Sequence, residues 1–210
     1  MGFSEFLARQ SANPEGLFGR MLMALYLDRA NQAGNQLVFD LLQTRKDSQV
    51  LEVGFGGGDL LFRIAKLLDS GRIDGVELSG AMIDHAKSRA AKLGLESMIR
   101  FHAGIIDNLP FEDESFDRVC SVNTVYFWPD LDAGLAELAR VMKADAQLVL
   151  GFGCDQALRA AGYEEKGFKL YSGEQIADAC RRNQLVPEKL ASIDRRRRGP
   201  FYAWRGVKSQ

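Results

Sequence analysis

Cysteine is scarce in this chain of 210 residues: only Cys120, Cys154 and Cys180, widely separated and without a C-x-x-C pair. That excludes a disulfide scaffold, offers no structural zinc site and points to a reducing compartment. Histidine is scarcer still. His85 and His102 are spaced neither as metal ligands nor as a catalytic dyad. Charge of one sign is also missing, since 27 basic and 28 acidic side chains leave a net charge of −1. Such a balance gives no long-range attraction for nucleic acid or an anionic membrane. No apolar run approaches the roughly 18 residues of a membrane span. The first ten residues, "MGFSEFLARQ", lack a basic region followed by an apolar core, so no secretory leader is expected. These absences predict a cytoplasmic protein with no metal, no nucleic-acid partner and no membrane insertion, its oligomeric state left open.

What is present suffices for a self-supporting core. Hydrophobic residues make up 46% of the chain, and a chain of this length buries roughly 70% of its unfolded surface. Apolar positions recur at three and four residues through "GLFGRMLMALYLDRANQAGNQLVFDLL", which predicts two helices broken near Gly34. Residues 1–47 are therefore assigned to an N-terminal helical cap, and residues 48–210 to the main domain. From residue 48, strands are predicted at 49–53, 72–78, 98–102, 116–122, 147–152, 185–192 and 200–207. Helices are predicted at 59–68, 81–93, 132–143 and 172–182, the last opened by the capping box Ser172-Gly173-Glu174-Gln175. Alternation of this kind predicts a doubly wound, mostly parallel, seven-stranded α/β sheet with helices on both faces. Ligands of such sheets bind outside the carboxyl ends of the strands.

One strand end stands out. "VLEVGFGGGDLL" at residues 50–61 buries a carboxylate in an apolar approach and then places glycines at 54, 56 and 58. A P-loop would continue into Lys-Ser or Lys-Thr, which is absent. A dinucleotide fingerprint would need glycine at 59, where the chain has Asp59. An acid before evenly spaced glycines suits a ligand with an ammonium group and no pyrophosphate. Glu77 ends the next strand about 20 residues on, where an acid takes ribose hydroxyls. A ligand with an amino-acid end and a ribose is S-adenosylmethionine.

The ordered blocks "VLEVGFGGG" (50–58), "GVELSGAMIDHAK" (75–87), "LPFEDESFDRV" (109–119) and "NTVYFWPDLDAGLAELARVMK" (123–143) resemble the class I S-adenosylmethionine-dependent methyltransferases. The likeness is greatest to the branch related to ubiquinone-biosynthesis methyltransferases and covers half the chain. It implies that Glu52 takes the methionine ammonium, while Gly54, Gly56 and Gly58 back the methionine and ribose. Glu77 would hold the ribose hydroxyls, Leu78 and Met82 would flank the adenine, and Asn123 would stand beside the transferable methyl. Tyr126 and Trp128 would wall the pocket of a small-molecule methyl acceptor.

The sequence departs from the family pattern twice. Ile105 occupies the slot of an adenine-binding Asp, so packing by Ile105 and Ile106 has to replace that contact, with Asp107 nearby. Ala144-Asp145-Ala146 stands where the family has Pro-Gly-Gly, which touches only a turn. The expected activity is methyl transfer to a small, partly apolar acceptor, with no residue singled out as a general base. Two alternatives remain at this level: a non-catalytic cofactor- or nucleoside-binding protein, and an RNA or protein methyltransferase served by the run Arg195–Arg198. Phe3, Phe6, Phe18 and Tyr26 suit either a lid or simple helix packing.

Overall fold

β-Branched and apolar residues dominate the first strand, β1 (Gln49–Val53), which is buried from Val50 onward. In the computed structural model, which describes residues 31–195 and 199–209, it becomes the hub of the sheet. β2 (Arg72–Glu77), β3 (Ile99–Ala103), β4 (Phe116–Val122), β5 (Met142–Gly153), β6 (Leu185–Asp194) and β7 (Pro200–Lys208) follow. They stand in the order β3-β2-β1-β4-β5-β7-β6. β1 to β5 run parallel, and β7 lies antiparallel to both β5 and β6. The order reverses between β1 and β4, the place where open α/β sheets carry a ligand crevice. Val53 is level with Val76 on one side and Ser121 on the other. Gly54, Glu77 and Asn123 therefore emerge along one edge.

Helices cover both faces. Residues 31–42 form α1, and α2 (Asp59–Ala65) and α3 (Gly80–Leu93) join β1 to β2 and β2 to β3. Val38, Leu42, Leu60, Ile64, Ile83 and Ala86 from these three pack on one side of the sheet. α4 (Leu131–Val141) and α6 (Gly173–Arg182) close the other with Leu135, Leu138, Ile176 and Ala179. The short α5 (Asp155–Ala160) follows β5. No helix of the described residues is long and apolar enough to cross a membrane.

The sequence reading is corrected at three points. The predicted break at Gly34 does not occur, because α1 runs straight through it. Its missing side chain serves packing instead: a Cβ there would lie 2.8 Å from Cζ of Phe201. β5 begins at Met142, directly after α4, rather than at residue 147. Asp145 takes φ +62 within it, the left-handed conformation that a glycine would otherwise supply. α5 carries no buried residue, so it left no periodic apolar signal to read. The earlier part of the predicted cap, including Phe3, Phe6, Phe18 and Tyr26, lies outside the described residues, as do Arg196 to Arg198.

Candidate active site

The glycine turn is built by three unlike demands. Gly54 has φ +74 and donates its N–H to the Val76 carbonyl at 2.7 Å, and a Cβ there would overlap Cγ2 of Thr124. Gly58 has φ +85 and caps α2, where a Cβ would fall 2.7 Å from the Phe62 ring. Gly56 has φ +52 but faces open space, with no atom within 4 Å of an added Cβ beyond its chain neighbours. Of the three glycines, only Gly56 leaves open space where a Cβ would stand, while Gly54 and Gly58 are required by the protein's own packing.

Glu77 links this turn to the next strand. One carboxylate oxygen accepts the Gly56 N–H at 3.0 Å and the other accepts the Ser79 N–H at 3.0 Å. Each oxygen keeps a second lone pair for a hydroxyl donor. The carboxylate is therefore fixed in direction before any ligand arrives. Glu52 is 3% exposed, set in the sheet opposite Cys120. Burial first, and the Glu52 charge second, push the Cys120 thiol well above its ordinary range.

Beyond Glu77 the edge turns apolar. Leu78 is 68% exposed and Ile105 is 47% exposed. Met82 is buried in the first turn of α3. Ile106 is buried too, and a Cβ on Gly134 would lie 3.0 Å from it, so its side chain belongs to the packing under α4. Of the two isoleucines, only Ile105 is exposed. The segment carrying them, residues 104–115, has no helix. It is pinned by Glu137, which accepts the Leu109 N–H at 2.8 Å, and by Arg140, which donates to the Phe111 carbonyl at 2.9 Å. The hydrogen bond from Arg140 in turn holds the Glu137 carboxyl below its usual range. His102 lies 2.7 Å from the buried Asp74, in a structural pair between β2 and β3.

At the end of β4, Asn123 takes φ +56 and its N–H donates to the Gly151 carbonyl at 2.8 Å. Its carboxamide donates to Asn31 of α1 at 2.9 Å, which ties the cap to the strand edge. The Tyr126 hydroxyl reaches the Asn123 carboxamide oxygen at 3.5 Å and accepts the Gly153 N–H from the end of β5. Burial pushes this phenol up to about 12, against the opposing pull of the Gly153 N–H and the Arg195 charge. It keeps its proton at neutral pH. Trp128 is buried against Gly134 and donates to the Thr124 hydroxyl at 3.2 Å, so it shapes the interior behind the edge.

The ring that reaches solvent in "YFWP" is Phe127, 48% exposed. It packs edge-on to Phe168 at 4.8 Å, and Phe168 packs on Tyr163 at 5.0 Å. Tyr126 completes the group, 5.9 Å from Phe168. Sequence reasoning missed Asn31, Phe127, Tyr163 and Phe168. Only Phe127 had a local signal, as one of three aromatics after β4.

Residues 50–145 match the family described as "Methyltransferase domain". The uncharacterized methyltransferase YdaC of Bacillus subtilis is 27% identical over 158 residues, 75% of this chain and 83% of that protein. The ubiquinone/menaquinone biosynthesis C-methyltransferase UbiE of Bartonella tribocorum is 36% identical over 96 residues, 45% of this chain. The chain spans only 37% of that relative's length. Among solved structures, geranyl diphosphate C-methyltransferase from Streptomyces coelicolor, in complex with Mg2+, geranyl-S-thiolodiphosphate and S-adenosyl-L-homocysteine, superposes with a TM-score of 0.75 at 17% identity. That match covers 87% of this chain and 77% of the other, and it shows the shared fold. Residues 50–145 are thus a methyltransferase domain of the class I S-adenosylmethionine-dependent kind, whose cofactor is S-adenosylmethionine.

Proposed function

We propose that the enzyme methylates a small, partly apolar molecule held at the ends of β4 and β5, in the cytoplasm. The observation carrying this reading is the aromatic group of Tyr126, Phe127, Tyr163 and Phe168 beside Asn123, with Phe127 open to solvent. Aromatic faces of this kind suit an apolar or ring-bearing acceptor. The geranyl diphosphate enzyme of the same fold acts on such a molecule, which supports the assignment.

The residues fit the cofactor's chemistry. Glu52 offers a buried carboxylate to an ammonium, Glu77 offers directed oxygens to a ribose, and Leu78 with Ile105 offers two apolar faces to adenine. Gly54 and Gly58 shape the turn, Gly56 leaves room over it, and Met82 and Ile106 support the slot from beneath. When bound, the cofactor supplies a methyl group on a sulfonium, already activated for in-line displacement. The protein's share is alignment, with reacting atoms brought about 3–3.5 Å apart. Asn123 and Tyr126 order the edge where the acceptor arrives, and Trp128 backs them. Tyr126 retains its proton at neutral pH and so does not serve as the base.

Calorimetric titration with S-adenosylmethionine and S-adenosylhomocysteine, with NAD as control, tests the cofactor assignment. Transfer of labelled methyl to a panel of small aromatic and isoprenoid compounds tests the acceptor. Binding of both sulfur nucleosides followed by transfer to such a compound is expected. Tight binding with transfer only to RNA or protein would overturn the acceptor class.

A further inference from the structure

Resting on that reading, we infer that the acceptor carries an anionic group, a carboxylate or a phosphate, and that Arg195 receives it. β5 gives up two side chains near its end. Gly151 makes room for the Phe201 ring, 2.7 Å from where a Cβ would stand. Gly153 makes room for the Arg195 guanidinium, whose Nη2 lies 3.1 Å from such a Cβ. The guanidinium stacks over Phe201 at 4.8 Å, and that ring is fully buried against Gly34 of α1. A planar cation is thereby held in one orientation at the ligand-facing edge, half-buried.

Its surroundings belong to the acceptor side. The Cβ position of Gly153 is 3.4 Å from the Tyr126 hydroxyl, and the Arg195 charge acts on that phenol. Tyr126 in turn reaches Asn123, which bonds Asn31. One guanidinium, one phenol and two carboxamides therefore line a single edge from β4 to the β6–β7 turn. A guanidinium fork matches carboxylate and phosphate geometry, and its weak hydration suits a half-buried place. Asp194 precedes Arg195 and both already interact within the protein, so an arriving anion competes with those contacts.

The test is equilibrium titration of the protein saturated with S-adenosylhomocysteine, using decanoate, decyl phosphate and decan-1-ol as probes. Either anion is expected to bind at least about tenfold tighter than the alcohol, and whichever binds better tells carboxylate from phosphate. Arg195→Gln should erase that preference while leaving decanol and S-adenosylhomocysteine affinities unchanged. Arg195→Lys keeps the charge without the fork and should restore part of it. Equal binding of all three probes, or no binding of any, overturns the inference. So does an anion preference that survives Arg195→Gln in a folded protein, and so does an Arg195→Gln that lowers only thermal stability. Failure of S-adenosylhomocysteine itself to bind would instead remove the functional reading beneath it.

Discussion

In the proposed site, the backbone makes the ligand-facing surface at the ends of β1 and β2. At the ends of β4 and β5, side chains from distant segments make it. The first region needs Gly54, Gly56, Gly58 and Glu77, all within 24 residues, and its hydrogen bonds run from backbone N–H groups to one carboxylate. The second joins Asn31, Asn123, Tyr126, Gly153 and Arg195, which only the finished sheet brings together. A surface made of backbone suits a cofactor whose chemistry is fixed. A surface made of exchangeable side chains suits an acceptor that differs between enzymes of one fold.

Substitutions can separate the two regions. The largest effect is expected at Gly54. An alanine there meets a left-handed backbone, worth about 1–2 kcal/mol, and overlaps Thr124, worth about 1–3 kcal/mol. Urea unfolding of Gly54→Ala should show a loss of about 3 kcal/mol. Gly56→Ala, in open space, should lose about 1 kcal/mol of stability while binding S-adenosylmethionine more weakly. Similar stability losses in both would mean that the glycines are alike, against the geometry.

Tyr126 tests the second region through pH. Its phenol goes from an ordinary 10.0 to about 12 on folding, a difference worth about 3 kcal/mol. Burial favours the protonated form, so this stabilisation is whole below pH 10 and is lost as pH rises from 10 towards 12. The buried Cys120 and Cys180 thiols, also raised, act in the same direction in wild type and variant alike. The stability difference between wild type and Tyr126→Phe, measured by chemical denaturation, should therefore shrink across that window by about this amount. A constant difference would show that the phenol is not buried as described. The smallest effect on folding is expected at Phe127, since half its ring is already in water: Phe127→Ala should cost about 0.5–1 kcal/mol. The same variant should lower turnover of an apolar acceptor and leave cofactor affinity untouched.

The contrast also explains what could be read in advance. All seven strands were legible because each is a short run rich in apolar residues set between turns and helical segments. The turn at residues 54–58 was legible because a left-handed backbone demands glycine at the position itself. Gly34 misled, since nothing local distinguishes a helix-breaking glycine from one pressed against Phe201. The burial of Trp128 and Ile106 was hidden because both pack on Gly134, inside a helix that only the finished fold lays against them. Arg195 looked like the first residue of a basic run suited to RNA, and only the pairing of Asp194 with Pro200 brings it beside β5.

The cysteines leave a practical legacy. Burial pushes the thiols of Cys120 and Cys180 up, so neither offers an appreciable thiolate to an alkylating reagent. Cys154 is the partly accessible member of the three and directly follows Gly153 at the end of β5. The chain thus comes with one natural attachment point next to the acceptor edge. A small fluorophore placed there would report arrivals at that edge without any cysteine having to be engineered in or out.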